Sequence, residues 1–241
     1  MAEVEFLVDT DSGQLSYPGN VANELQRICE IWHNKVIGPQ VAKTALTATI
    51  QAAVGHGVDL DKDYGDKDHR LSWGTLLTCF CSTMDYEKTE GQPWRPRPFR
   101  NMTLQRAEVV KLLLAAGADP NAREYWGKIP YWTPLMRAAA AGNVPQIREL
   151  LDDKRTLVDL RAGNDPERGD TALVIATEAE KGEAVVALLA GGANPRALNS
   201  RGALICDMAA TRRYGRDVAQ VFSYYERGRE IKQHRTTVFA P

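Results

Sequence analysis

The chain has 241 residues, and its 30 lysines and arginines nearly cancel its 31 aspartates and glutamates, for a formal net charge of −1. That balance lacks the basic excess of a dedicated nucleic-acid binder, and no apolar run approaches the roughly 18 residues that a membrane helix needs. The opening Met-Ala-Glu-Val-Glu-Phe has no basic stretch leading into an apolar segment, so the expectation is an intracellular, soluble, cytoplasmic protein, with the nucleus as the alternative compartment.

In chain order, residues 1–20 read as an N-terminal arm. Val21 to Trp32 follows with Leu25, Ile28 and Ile31 on one face at helical spacing. A partner helix carries Leu46, Ile50, Ala53 and Val54 and leaves through Gly57-Val58-Asp59-Leu60-Asp61. The acidic run Asp59 to His69 suggests a calcium loop, but its spacing is wrong. With Asp59 as position one, the glycine falls one place late and Arg70 occupies the site of the bidentate glutamate. An extended acidic finger is the better account. Gly74 to Phe80 then begins another helix, and an insertion runs from about Ser82 to Met102. Its Trp94-Arg95-Pro96-Arg97-Pro98-Phe99-Arg100 favours extended backbone and resists regular structure.

The run Val109 to Ala122 is the most informative. Val109, Val110, Leu112, Leu113 and Leu114 make a short apolar helix, Gly117 ends it in a left-handed cap, and Asp119-Pro120-Asn121 turns the backbone. Thr133-Pro134 starts the next helix, with proline where a missing N–H costs nothing. Ala138 to Ala141 lead into a tight turn at Gly142-Asn143 and a second helix with Ile147, Leu150 and Leu151. The same order of signals recurs from Gly169 to Pro195. It recurs more weakly from Gly202 through Val218, Val221 and Phe222, before a charged tail over residues 229–241.

These segments resemble ankyrin repeats. The resemblance implies an all-α solenoid of about five helix-turn-helix units over residues 21–228, interrupted near 82–103, with finger loops and inner helices forming a concave binding face. Met136 stands where the family usually carries a histidine, which suggests a relaxed unit. Ala172 and Leu76 stand in the proline place. The last unit, ending in Tyr224-Tyr225-Glu226-Arg227, fits a terminal cap.

The family implies binding and not chemistry, so the departures from its pattern are the candidate sites. The finger after Asn121 is about four residues longer than usual and crowds Tyr125, Trp126, Tyr131 and Trp132 together, the residue types that dominate interface hot spots. The plain alternative is that Tyr131 or Trp132 folds back to staple the loop. In the insertion, Trp94, Arg95, Arg97 and Arg100 could strap a partner by gripping carboxylates or phosphates, and the acidic finger could face them. The plain alternative here is a solvated loop. No nucleophile motif, phosphate loop or dinucleotide fingerprint occurs. Asp68 beside His69 is the single weak acid–base pair. Cys29, Cys79, Cys81 and Cys206 lie scattered through helical patterns, and Cys79-x-Cys81 has no second pair with which to complete a zinc site.

The expectation is a non-catalytic adaptor that needs no metal or cofactor and binds a protein partner, not nucleic acid or membrane. The rival is a small-molecule or catalytic pocket closed by the irregular loops.

Overall fold

The computed structural model describes residues 18–61, 74–82, 84–87, 95–98, 102–124, 132–163, 169–207, 221–225 and 227. Helices form where a cap and an apolar stripe coincide. Thr75, Thr133 and Thr171, at the same place in three successive units, each accept a hydrogen bond from the backbone N–H three residues on and open helices α3 (Leu76–Cys81), α5 (Pro134–Ala141) and α7 (Ala172–Glu178). Their outer partners are α4 (Thr103–Ala115), α6 (Val144–Asp152) and α8 (Gly182–Ala190), and the chain enters through α1 (Pro18–His33) and α2 (Pro39–Gly55). Within the insertion, β1 (Met84–Glu87) and β2 (Arg95–Pro98) pair antiparallel.

The helices stack in two rows. Helix α5 packs between α3 and α7 in the inner row, and α6 packs between α4 and α8 in the outer row, with α2 and α1 against α4. The seam between the rows is one continuous core running from Leu25 and Leu46 through Leu77, Val110, Leu135, Ile147, Leu173 and Leu188 to Ile205 and Phe222. No unit could bury its apolar face alone, so neighbours do it for one another. The described part of the fifth unit comprises helical residues 205–207 and 221–225, with Phe222 buried. The all-α solenoid expected from the sequence is the fold observed, with the two-stranded pair as an addition to it.

The α2 face differs in one residue from the sequence reading. Val54 is exposed, and the buried face runs through Ala42, Leu46, Thr49, Ile50 and Ala53. Met136 does not leave its unit relaxed. Its sulfur lies 3.5 Å from the Thr133 N–H and takes that hydrogen bond as a weak acceptor, while Thr133 caps Met136 in return.

The fingers are laced by side chains at one repeating position. Asp61 accepts from the Asp119 N–H at 2.8 Å, Asn121 from Leu157 N–H at 2.8 Å, and Asp159 from Asn194 N–H at 2.9 Å. The separations are 58 residues across the unit holding the insertion and 36 and 35 across the next two. The insertion therefore adds chain without disturbing the repeat geometry.

Asp61 is a rung whose ionisation is disfavoured. Desolvation, with the nearby Asp119 and Asp59 charges, raises its carboxyl above the usual range against the opposing Asp119 hydrogen bond and Arg155. A carboxyl raised by folding favours its protonated form, so its ionisation costs stability above the folded pKa and that cost disappears as pH falls through it. Asn121 fills the equivalent place without charge and also donates to the Arg155 carbonyl at 2.8 Å. Asp61→Asn is expected to raise stability at pH 7 by roughly 0.5 kcal/mol, with the gain vanishing in acid. Denaturant titrations of both proteins across pH check this.

The helix-to-helix turns give a second comparison. Gly142 closes α5 at φ +73°, and the equivalent Glu180, after α7, is held at φ +56°. The left-handed region is costly for a residue with a Cβ and free for glycine. Glu180→Gly is expected to raise the thermal midpoint, with a gain of about 0.5 kcal/mol, while Gly142→Ala lowers it.

Candidate interaction surface

The finger between α4 and α5 is closed at its base by three interactions. The Glu124 N–H donates to the Trp132 carbonyl at 3.0 Å, which brings together the two ends of the 125–131 segment. The Glu124 side chain, in a residue only 4% exposed, receives the Nε of Arg137 at 2.5 Å. The same guanidinium lies 4.8 Å from the centre of the Trp132 ring. Carboxylate, guanidinium and indole form one stack at the N-terminal end of α5. It is wedged against the preceding unit, where a Cβ on Gly74 would come within 2.8 Å of the Glu124 carboxylate and 2.2 Å of the Thr78 hydroxyl. With φ +67°, that position needs glycine for both reasons.

The insertion leaves from the other end of the inner row. It joins the C-terminus of α3 to the N-terminus of α4, and both its ends are tied down. Arg106, 3% exposed, donates to the carbonyls of Ser82 at 2.6 Å and Cys79 at 2.5 Å, with its guanidinium 5.7 Å from the Phe80 ring. Asn143 donates to the Cys81 carbonyl at 3.0 Å, and buried Gln146 to the Thr103 carbonyl at 3.2 Å. A six-residue helix leaves most of its carbonyls without intrahelical partners, and these side chains satisfy three around its end.

Within the segment, Met84–Glu87 and Arg95–Pro98 form a strand pair, which departs from the expectation that the Arg-Pro run resists regular structure. The strand register is Met84↔Pro98, Asp85↔Arg97, Tyr86↔Pro96 and Glu87↔Arg95. The register sets Arg97 across from Asp85 and Arg95 across from Glu87. Of the acidic finger, Asp59 and Asp61 are described, while Asp63, Asp66, Asp68 and His69 lie outside the described residues.

Of the residues singled out by sequence, Trp132 is placed at the finger base, half-buried against the core and stacked under Arg137. This is the stapling role. Arg95 and Arg97 are placed on β2. Trp94, Arg100, Tyr125, Trp126, Tyr131, Asp68 and His69 lie outside the described residues. Sequence reasoning missed Glu124, Arg137 and Arg106. Arg106 had a legible signal, since it shares the buried face of α4 with Val109, Val110 and Leu113 at helical spacing.

Burial disfavours the thiolate form of two of the cysteines. Burial pushes the Cys29 thiol up to about 12 and that of Cys81 up as well. Among the described residues, no three histidines, cysteines or carboxylates cluster as metal ligands, and no helix is long and apolar enough to cross a membrane.

A family model described as ankyrin repeats, in three copies, matches residues 102–199. Residues 102–199 are ankyrin repeats, and the fold is that of an ankyrin-repeat solenoid. The match spans α4 to the turn after α8, the segment in which caps, fingers and both helix rows repeat most regularly. Among solved structures, the ankyrin repeat domain of Bcl-3, a unique member of the IkappaB protein family, is similar in fold, with a TM-score of 0.53 and 21% identity over 77% of this chain and 68% of that one. No curated protein sequence matches the chain. Ankyrin repeats serve in general as protein-interaction scaffolds, and this chain has the inner row and fingers of such a scaffold.

Proposed function

We propose that this ankyrin-repeat protein is a non-catalytic adaptor that binds a partner protein across its inner helices, between the aromatic finger at one end and the Arg/Pro-containing hairpin at the other. The observation that carries this reading is the Glu124–Arg137–Trp132 stack. It ties Glu124 and Trp132, the residues that flank the 125–131 segment with Tyr125, Trp126 and Tyr131, to the scaffold. Association then orders fewer groups, which raises affinity. Trp132 contributes chiefly by holding that base, and Arg95, Arg97, Trp94 and Arg100 supply the contacts at the opposite end. Localisation in the cytoplasm belongs to the same proposal.

Affinity capture from a native extract tests it, with the full chain as bait beside a variant carrying alanine at Tyr125, Trp126 and Tyr131. A protein retained by the first and lost from the second supports the adaptor. Equal retention by both removes the finger from the account.

A further inference from the structure

The two edges of the hairpin are chemically unlike. Pro96 and Pro98 have no N–H, so the rungs between strands must run through the Asp85–Arg97 and Glu87–Arg95 pairs. The Tyr86–Pro96 and Met84–Pro98 pairs are therefore the wide ones, whose backbone groups face outward. The outer edge of β2 then offers no donor at either proline, a standard device against further pairing. The outer edge of β1 keeps the N–H and C=O of both Met84 and Tyr86, and the sheet has two strands, so no further strand among the described residues takes them. The blocked edge belongs to the strand with Arg95 and Arg97, and the open edge to the strand with Asp85 and Glu87. Asp85 and Glu87 stand two positions apart on β1, at alternate register positions.

We propose that the open edge of β1 takes up an extended segment of the partner protein as a third strand, one with basic residues at alternate positions. This rests on the adaptor reading and names the kind of partner segment it requires. Backbone hydrogen bonds to Met84 and Tyr86 supply affinity, and basic residues across from Asp85 and Glu87 supply selection. A second copy of β1 is the wrong occupant. Antiparallel pairing centred on Asp85 sets that acid against its own copy, and pairing centred on Tyr86 sets it against Glu87, like charges directly opposite in either case. The hairpin is also suited to bearing load, because Arg106, Asn143 and Gln146 anchor the carbonyls where it leaves and rejoins the helices.

The test pans the full-length chain against a phage-displayed library of random peptides of about twelve residues, enough for one strand and its flanks. The strongest peptide is then measured by amide hydrogen exchange and fluorescence anisotropy. Enriched peptides are expected to alternate basic residues and to slow exchange at the Met84 and Tyr86 amides. Tyr86→Pro removes an outward-facing N–H and no rung to β2. It is expected to weaken binding by about tenfold or more, while the Asp85 and Glu87 amides keep their protection and report an intact hairpin. If Tyr86→Pro unfolds the hairpin, protection of Met84 and Tyr86 in the unaltered chain decides the matter. No enrichment, enrichment without basic alternation, or protection confined to the inner helices overturns the inference. Failure of the adaptor reading is separate: it shows as a chain that retains no native partner protein, whatever peptides it binds.

Discussion

Glu124→Ala is expected to lower the stability of the chain by about 3 kcal/mol, because it leaves the Arg137 guanidinium facing a site built for a carboxylate. Glu124 is almost wholly buried, its ion pair with Arg137 measures 2.5 Å, and Arg137 in turn lies over Trp132. Removing the carboxylate releases the guanidinium from the indole and opens space against Gly74 and Thr78 of the preceding unit. Glu124→Gln keeps the acceptor and the shape and so loses much less. Urea unfolding of the three proteins measures the difference. In the alanine variant, the amides on either side of the 125–131 segment should also exchange faster, since the base that pins them has gone.

Arg106→Leu is the second large effect, also about 3 kcal/mol. A leucine fills much of the apolar volume beside Phe80 but donates nothing to the Cys79 and Ser82 carbonyls, and hydrogen bonds from a charged donor are worth roughly 1.5–3 kcal/mol each. Those carbonyls belong to the end of α3 and the first residue past it, so the loss falls on the shortest inner helix and on the stem of the hairpin together. Arg106→Lys retains a donor without the fork that spans two carbonyls and is expected to recover less than half of the loss. Thermal melts give the magnitude, and hydrogen exchange in Leu76–Cys81 gives the location.

Much of the scaffold was legible in the sequence because its signals are local. Thr133-Pro134 and Gly117 mark helix boundaries by backbone chemistry alone, and each does in the structure what its residue type requires. The finger ladder was less visible. That Asp61, Asn121 and Asp159 do the same job emerges only when their acceptor oxygens are seen on the next finger's N–H. The candidate site was legible as composition and not as geometry. The crowding of aromatic residues after Asn121 drew attention to the finger, but the residues that hold its base are Glu124 and Arg137, 13 residues apart in sequence and joined only by folding. In the insertion, the alternation Arg-Pro-Arg-Pro points to resistance to regular structure. It is equally the pattern of an edge strand, because every missing N–H falls on the same side. Met84-Asp85-Tyr86-Glu87 supplied the matching strand, and nothing local announced the pairing.

Whether the partner lies along the inner row between finger and hairpin is decided by a hydrogen-exchange footprint of the full chain, free and with its captured partner protein. Slowed exchange is expected around Trp132, at the N-terminal ends of α5 and α7 and in β1, with the outer helices α4, α6 and α8 unchanged. Protection concentrated on α4, α6 and α8, with none at Trp132 or β1, would contradict it.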